Sequence, residues 1–239
     1  MEETKSINID RFRVLSGSVL KIIATAAMLI DHIAAVFLKD SPIVLFTFLS
    51  RTLTLYALLR GIGRIAFPIY AFLITEGYLH TRDRKRYGIS LALFALLSEV
   101  PWDLLHRGKY FTISTQNVFF TLFLGYLAIC MFERYREKPF IQAAWLLGLM
   151  LVSIVLRADY GITGYCFILF MYALRERELL RAVIGCGILS SRWVAGLAFI
   201  PITMYNGKRG FIRGQFAKYC FYLFYPLHLL VLYLIRTFA

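Results

Sequence analysis

Long apolar runs, parted by short clusters of charge, recur along the chain from residue 19 to residue 236. Bounded by those clusters, they predict membrane-spanning helices over 19–38, 58–79, 87–105, 117–132, 139–156, 160–174, 179–190, 192–205 and 217–236. A helix rises 1.5 Å per residue, so about 20 apolar residues cross the hydrocarbon of a bilayer. The seventh run is short for this. The stretch 41–59, SPIVLFTFLSRTLTLYALL, is apolar enough to cross but carries Arg51 at its middle, and it is expected to form an interfacial or re-entrant helix. No connector is long enough to divide the chain, so residues 1–18 read as a cytoplasmic N-terminal segment and 19–239 as a single membrane-embedded domain. No tandem repeat breaks the pattern.

Composition agrees with that patterning. Hydrophobic residues make up 59% and charged ones 17%, against about 45–50% and about 25% in soluble domains. The class is an all-α polytopic membrane protein with about nine to ten spanning helices. A net charge of +13 would suit nucleic acid only if the cations shared one wet surface. Here they sit among the connectors, which points to membrane lipids as surroundings and to no nucleic-acid partner. With 41–59 not crossing, 18 of the 27 basic residues fall on the side of the N-terminus, from Lys5, Arg11, Arg13 and Lys21 through Lys208, Arg209, Arg213 and Lys218. The positive-inside rule makes that side cytoplasmic. The first 18 residues are too polar and acidic for a cleaved signal. Cys130, Cys166, Cys186 and Cys220 are widely spaced in apolar runs without metal-ligand spacing, so free buried thiols and no metal are expected.

Polar groups inside the runs carry the chemistry. They are Asp31, His32, Arg64, Glu76, Glu99, Asp103, Asn117 and His228. A charge deep in a bilayer costs at least about 2.5 kcal/mol, so each needs a partner, a wet cavity or a task. Asp31 and His32 are helix neighbours whose side chains point about 100° apart, so one faces a cavity and the other a partner such as Arg60 or Arg64. His32 is the candidate general base, because an imidazole takes and returns a proton near neutral pH. It lies eleven steps, about 16 Å, beyond Lys21. In the last helix His228 lies ten steps, about 15 Å, beyond Lys218. Two helices therefore place a lysine and an imidazole at matching depths. Arg64 and Glu99 fit an ion pair between helices. Pro226 is expected to kink the last helix. NGKRGFIRG, residues 206–214, gathers cations and glycines as a phosphate site would, or as an ordinary positive-inside loop does. Gly61, Gly63 and the glycines of GITG read as helix-packing positions. The same buried Asp, His and Glu would also serve a proton-coupled secondary transporter, or simply hold a scaffold together.

The blocks LKIIATAAMLIDHIAAVF, GRIAFPIYAFLITEGYLHTRDRKRY, ALLSEVPWDLL, QNVFFTLFLGYL, ADYGITG, NGKRG and KYCFYLFYPLHLL resemble the TraX family. Its best-known member N-acetylates a pilin subunit, and the family is similar to the wider transmembrane acyltransferases. The likeness is thin over 39–58, 139–156 and 175–203. It implies a bacterial inner-membrane enzyme with a central cavity open to the cytoplasm and acetyl-CoA as acyl donor. Lys21 and His32 match the wider group's pattern of a basic residue, ten positions and a histidine in an early helix. The resemblance implies Lys21, Lys208, Arg209 and Lys218 on the CoA phosphates, with Arg64, Asn117 and Tyr225 also in the donor site. His32, Asp31, His228 and Glu99 would form the catalytic group, and His228, Asn117 or Tyr225 the oxyanion donor. The acceptor stays open between a peptide amine such as a pilin-like N-terminus, a glycan and a small molecule.

Overall fold

Ser16 begins the helical part of the chain. Its hydroxyl accepts from the Val19 amide, and α1 then runs Gly17–Phe37. The computed structural model describes residues 12–48, 51–189 and 193–238. Most of the predicted N-terminal segment, with Lys5 and Arg11, lies outside the described residues, as do 190–192, where two predicted runs meet. After α1 come β1 (Val44–Phe48), β2 (Arg51–Thr54), α2 (Leu55–Gly63), α3 (Ala66–His80), α4 (Arg84–Arg107), α5 (Val118–Arg134), α6 (Pro139–Val155), α7 (Gly161–Ala173), α8 (Glu178–Ile188), α9 (Trp193–Gly196), α10 (Phe199–Thr203) and α11 (Gly214–Phe238).

Over the described residues every predicted run is mainly helical, so the protein is an all-α polytopic membrane protein. Among the described residues, four helical stretches are long and apolar enough to cross a bilayer: Gly17–Phe37, Leu55–His80, Arg84–Arg107 and Gly214–Phe238. The run 192–205 is broken into α9 and α10. Outward-facing apolar side chains, such as Leu93, Leu96, Leu97 and Val100 on α4 and Leu227, Val231 and Leu234 on α11, recur at helical spacing and suit a lipid surround. Inside, Phe72, Tyr126, Phe167 and Tyr172 anchor a core shared by α3, α5 and α7.

The stretch 41–59 corrects the expectation of an interfacial or re-entrant helix. β1 and β2 pair antiparallel, Phe46 opposite Leu53 and Phe48 opposite Arg51. Ile43, Val44, Phe46, Thr47, Phe48, Thr52 and Thr54 are β-branched or aromatic, which favours a pleated strand over a helix. Thr54 then caps α2 through Ala57 N at 3.1 Å. A second correction concerns the thiols: all four are free, but Cys166, Cys186 and Cys220 are exposed on helix surfaces and Cys130 is only partly covered. A small thiol on a lipid-facing position costs little. Pro226 sits inside the unbroken α11.

The loop 204–213 is tied to the start of α1. Leu15 N donates to Met204 O, Gly17 N to Lys208 O and Ser18 N to Arg209 O, each at 2.9 Å. The Ser18 hydroxyl donates to Arg209 O and accepts from Ile212 N at 2.8 Å. Gly210, with φ +87, lies flat against Ser16 and Ser18, where a Cβ would collide with both hydroxyls. This stitching fixes Arg209 beside the first turn of α1.

Candidate active site

His32 of α1 and His228 of α11 meet face to face. His32 Nδ1 is 2.7 Å from His228 Nε2, and the rings stack at 5.0 Å and 14°. His228 Nδ1 is 2.8 Å from the Phe224 carbonyl, which only accepts, so that nitrogen carries the hydrogen. His228 Nε2 is then a lone pair, and His32 Nδ1–H donates to it. By this hydrogen-bond logic Nε2 of His32 is left as the bare, proton-accepting nitrogen. Both side chains are buried, with 8% and 7% of their surface exposed. His106 joins them from α4, its ring 6.2 Å from that of His32 and its Nδ1 2.9 Å from the Trp102 carbonyl. His106 escaped the sequence reading because it falls one residue past the run 87–105. That the chain has only four histidines was the available signal.

Asp31 faces away from the pair. Its carboxylate takes an ion pair from Arg60, one of the two partners expected. Gly63 lies against the Asp31 side chain so closely that no Cβ fits between them, which lets α2 pack down on α1. The expected pair between Arg64 and Glu99 does not form. Asn117 occupies Glu99 instead, its Nδ2 donating to Oε2 at 2.6 Å while also reaching Ala95 O at 2.8 Å. The reason is local: Asn117 caps α5, so its side chain is held where α4 carries Glu99. Asp103, fully buried, holds Thr112 through its amide at 2.5 Å and its hydroxyl at 3.0 Å.

A cavity of about 430 Å³ runs between α1, α3, α4, α5 and α11, within the size range of ligand pockets. Lys21, Arg209 and Lys218 line it where α1 and α11 begin, together with Gly17, Gly207, Glu76 and His80. Lys218 Nζ stands over the rings of Tyr87, Tyr219 and Tyr222 at 5.4–5.7 Å. Tyr205 joins this end, and burial, reinforced by Glu76, pushes its hydroxyl well above its ordinary value, so it stays protonated. Toward the middle the walls turn apolar, with Met28, Leu91, Val118, Phe119 and Leu122, and reach Tyr225. The Tyr225 ring is 6.2 Å from that of His32 and 5.6 Å from that of His228. One end of the cavity is therefore cationic and the other abuts the histidine pair.

Of the residues singled out from sequence, the fold gathers Lys21, Arg209, Lys218 and Tyr225 on this cavity, and sets His32 and His228 behind Tyr225. Lys208, Arg64 and Asn117 do not line it. Lys208 contributes its backbone to the stitched loop, and Asn117 acts as a helix cap.

A family model described as TraX protein matches residues 16–236, the whole of this site included. A protein of Dichelobacter nodosus described as a probable fimbrial assembly protein, FimC of serogroup H1, is 29% identical over 255 residues, covering 95% of this chain and 96% of that one. No solved structure matches.

Proposed function

This chain belongs to the TraX family, and on that premise we propose that it is an integral membrane acyltransferase that moves an acetyl group from acetyl-CoA to an amine or hydroxyl. The observation that carries the reading is the polarity of the cavity, with three cations at one end and a hydrogen-bonded histidine pair beyond the other. Lys21, Arg209 and Lys218 suit the phosphates of CoA, which Arg and Lys bind through charge-assisted hydrogen bonds. The apolar middle suits the pantetheine arm. The thioester then reaches Tyr225, whose ring lies 6.2 Å from that of His32, and the bare Nε2 of His32 takes the proton of the attacking acceptor.

Two of the expected oxyanion donors are already committed. His228 has its one N–H on Phe224 O, and the Asn117 amide serves Glu99 and Ala95. The Tyr225 hydroxyl donates to no group among the described residues and takes that role. We assign the cation-lined end, with the starts of α1 and α11, to the cytoplasmic side of the membrane, the side that the distribution of basic residues favours and where the donor is found. The relative's description as a probable fimbrial assembly protein makes the amine of a fimbrial subunit the first acceptor to test.

Detergent-purified protein should bind radiolabelled acetyl-CoA and, with acceptor, release free CoA. Mass spectrometry of fimbrial subunits from a deletion strain should show the loss of one acetyl group. Failure to bind acetyl-CoA would sink the reading in favour of a transporter, which has no use for CoA.

A further inference from the structure

Glu99 and Asn117 are buried together where α4 meets the start of α5, and the chemistry proposed above uses neither. Asn117 Nδ2 donates to Glu99 Oε2 at 2.6 Å and to Ala95 O at 2.8 Å, so the first turn of α5 is clamped onto α4. Asn117 Oδ1 accepts from Phe119 N at 3.0 Å. The backbone of Phe119 is therefore pinned. Its side chain, only 6% exposed, forms part of the apolar wall of the cavity. The ring meets that of Tyr225 edge-on at 5.2 Å, and it also packs against Phe94 at 6.2 Å and Tyr222 at 6.1 Å. Leu122, three residues on and so on the same helix face, and Met28 of α1 continue this wall, both buried. An interior packed this way resists the entry of even one extra methylene. A ring braced by a pinned backbone and three other rings is a fixed stop.

We infer that Phe119 selects the donor by the length of its acyl group, admitting acetyl and excluding longer chains. The inference rests on the acyltransferase reading and adds to it the side chain that sets donor specificity. With the phosphates on Lys21, Arg209 and Lys218 and the thioester carbonyl at Tyr225, the carbons beyond the carbonyl meet the Phe119 ring that packs on Tyr225. The methyl of an acetyl group stops in front of it. The two further methylenes of butyryl-CoA need space that the ring already fills, and an apolar pocket discriminates by about 10–200-fold for each methylene.

Competition against radiolabelled acetyl-CoA on the detergent-purified protein tests this without an acceptor. On the parent protein, unacylated CoA and acetyl-CoA should compete at similar concentrations, and butyryl-CoA should need at least about tenfold more. Phe119→Ala leaves an apolar cavity that accepts an apolar guest, so butyryl-CoA should then compete within about threefold of acetyl-CoA, while the affinity for unacylated CoA stays that of the parent. Phe119→Leu, a milder change in the packed wall, should fall between the two. It also covers the case in which the alanine variant does not fold, and the parent's own ratio of butyryl to acetyl affinity needs no variant at all. Butyryl-CoA binding the parent as tightly as acetyl-CoA, or an unchanged ratio in variants that still bind CoA, would overturn the inference and spare the acyltransferase reading. Absence of acetyl-CoA binding to the parent protein sinks both.

Discussion

The chain of hydrogen bonds from the Phe224 carbonyl through His228 to His32 fixes a tautomer at each step and leaves Nε2 of His32 as the bare nitrogen, the atom proposed as the base. His32→Ala should lower acetyl transfer by about 100-fold or more while acetyl-CoA still binds, as equilibrium binding of the radiolabelled donor would report. Turnover near that of the parent would end the assignment. His228→Ala leaves the His32 ring free to rotate and to change tautomer, and a fall in kcat of about tenfold or more at unchanged KM is expected. The cations behave differently. On the proposed donor site, Lys21→Ala and Arg209→Ala would remove contacts made equally in ground and transition states, so each should raise KM for acetyl-CoA and leave kcat in place.

At the scale of elements, two glycines hold the site in register. Gly63 lets α2 seat against Asp31 on α1, and that contact sets Arg60 on the carboxylate. Gly63→Val would force the helices apart and cost about 1–3 kcal/mol, measurable as a lowered midpoint of thermal unfolding in detergent. Gly210 does the same for the stitched loop. Its φ of +87 disfavours any Cβ, and Gly210→Ala should displace Arg209 and raise KM for acetyl-CoA with little change in kcat. A variant with unchanged KM would show that the loop does not meet the donor. The hairpin 44–54 shows where local chemistry overrode an apolar pattern. Hydropathy alone reads it as membrane-facing, whereas its β-branched and aromatic content makes strands.

For the whole molecule the consequence is sidedness. A cysteine placed at Leu73, on the cavity wall, in a background without Cys130, Cys166, Cys186 and Cys220, should react with an impermeant maleimide in inside-out vesicles. Acetyl-CoA should protect it. Faster labelling from the opposite face would reverse the proposed orientation. The fold supports this geometry because α1 and α11 start at the same end and carry their lysines there, while their histidines meet about 15 Å further along each axis.

Helix positions, the membrane class and the lysine-to-histidine depth were legible in the sequence, because hydrophobic period and residue rise are properties of one segment at a time. So was the pairing of Asp31 with one of two arginines, since a charge in hydrocarbon must find a partner nearby. What joins segments was not legible. That His32 bonds His228, that Asn117 takes Glu99 from Arg64 and that His106 enters the cluster all depend on how helices rotate and dock. Those rotations are set by side-chain packing across the whole bundle, which no single run of residues contains.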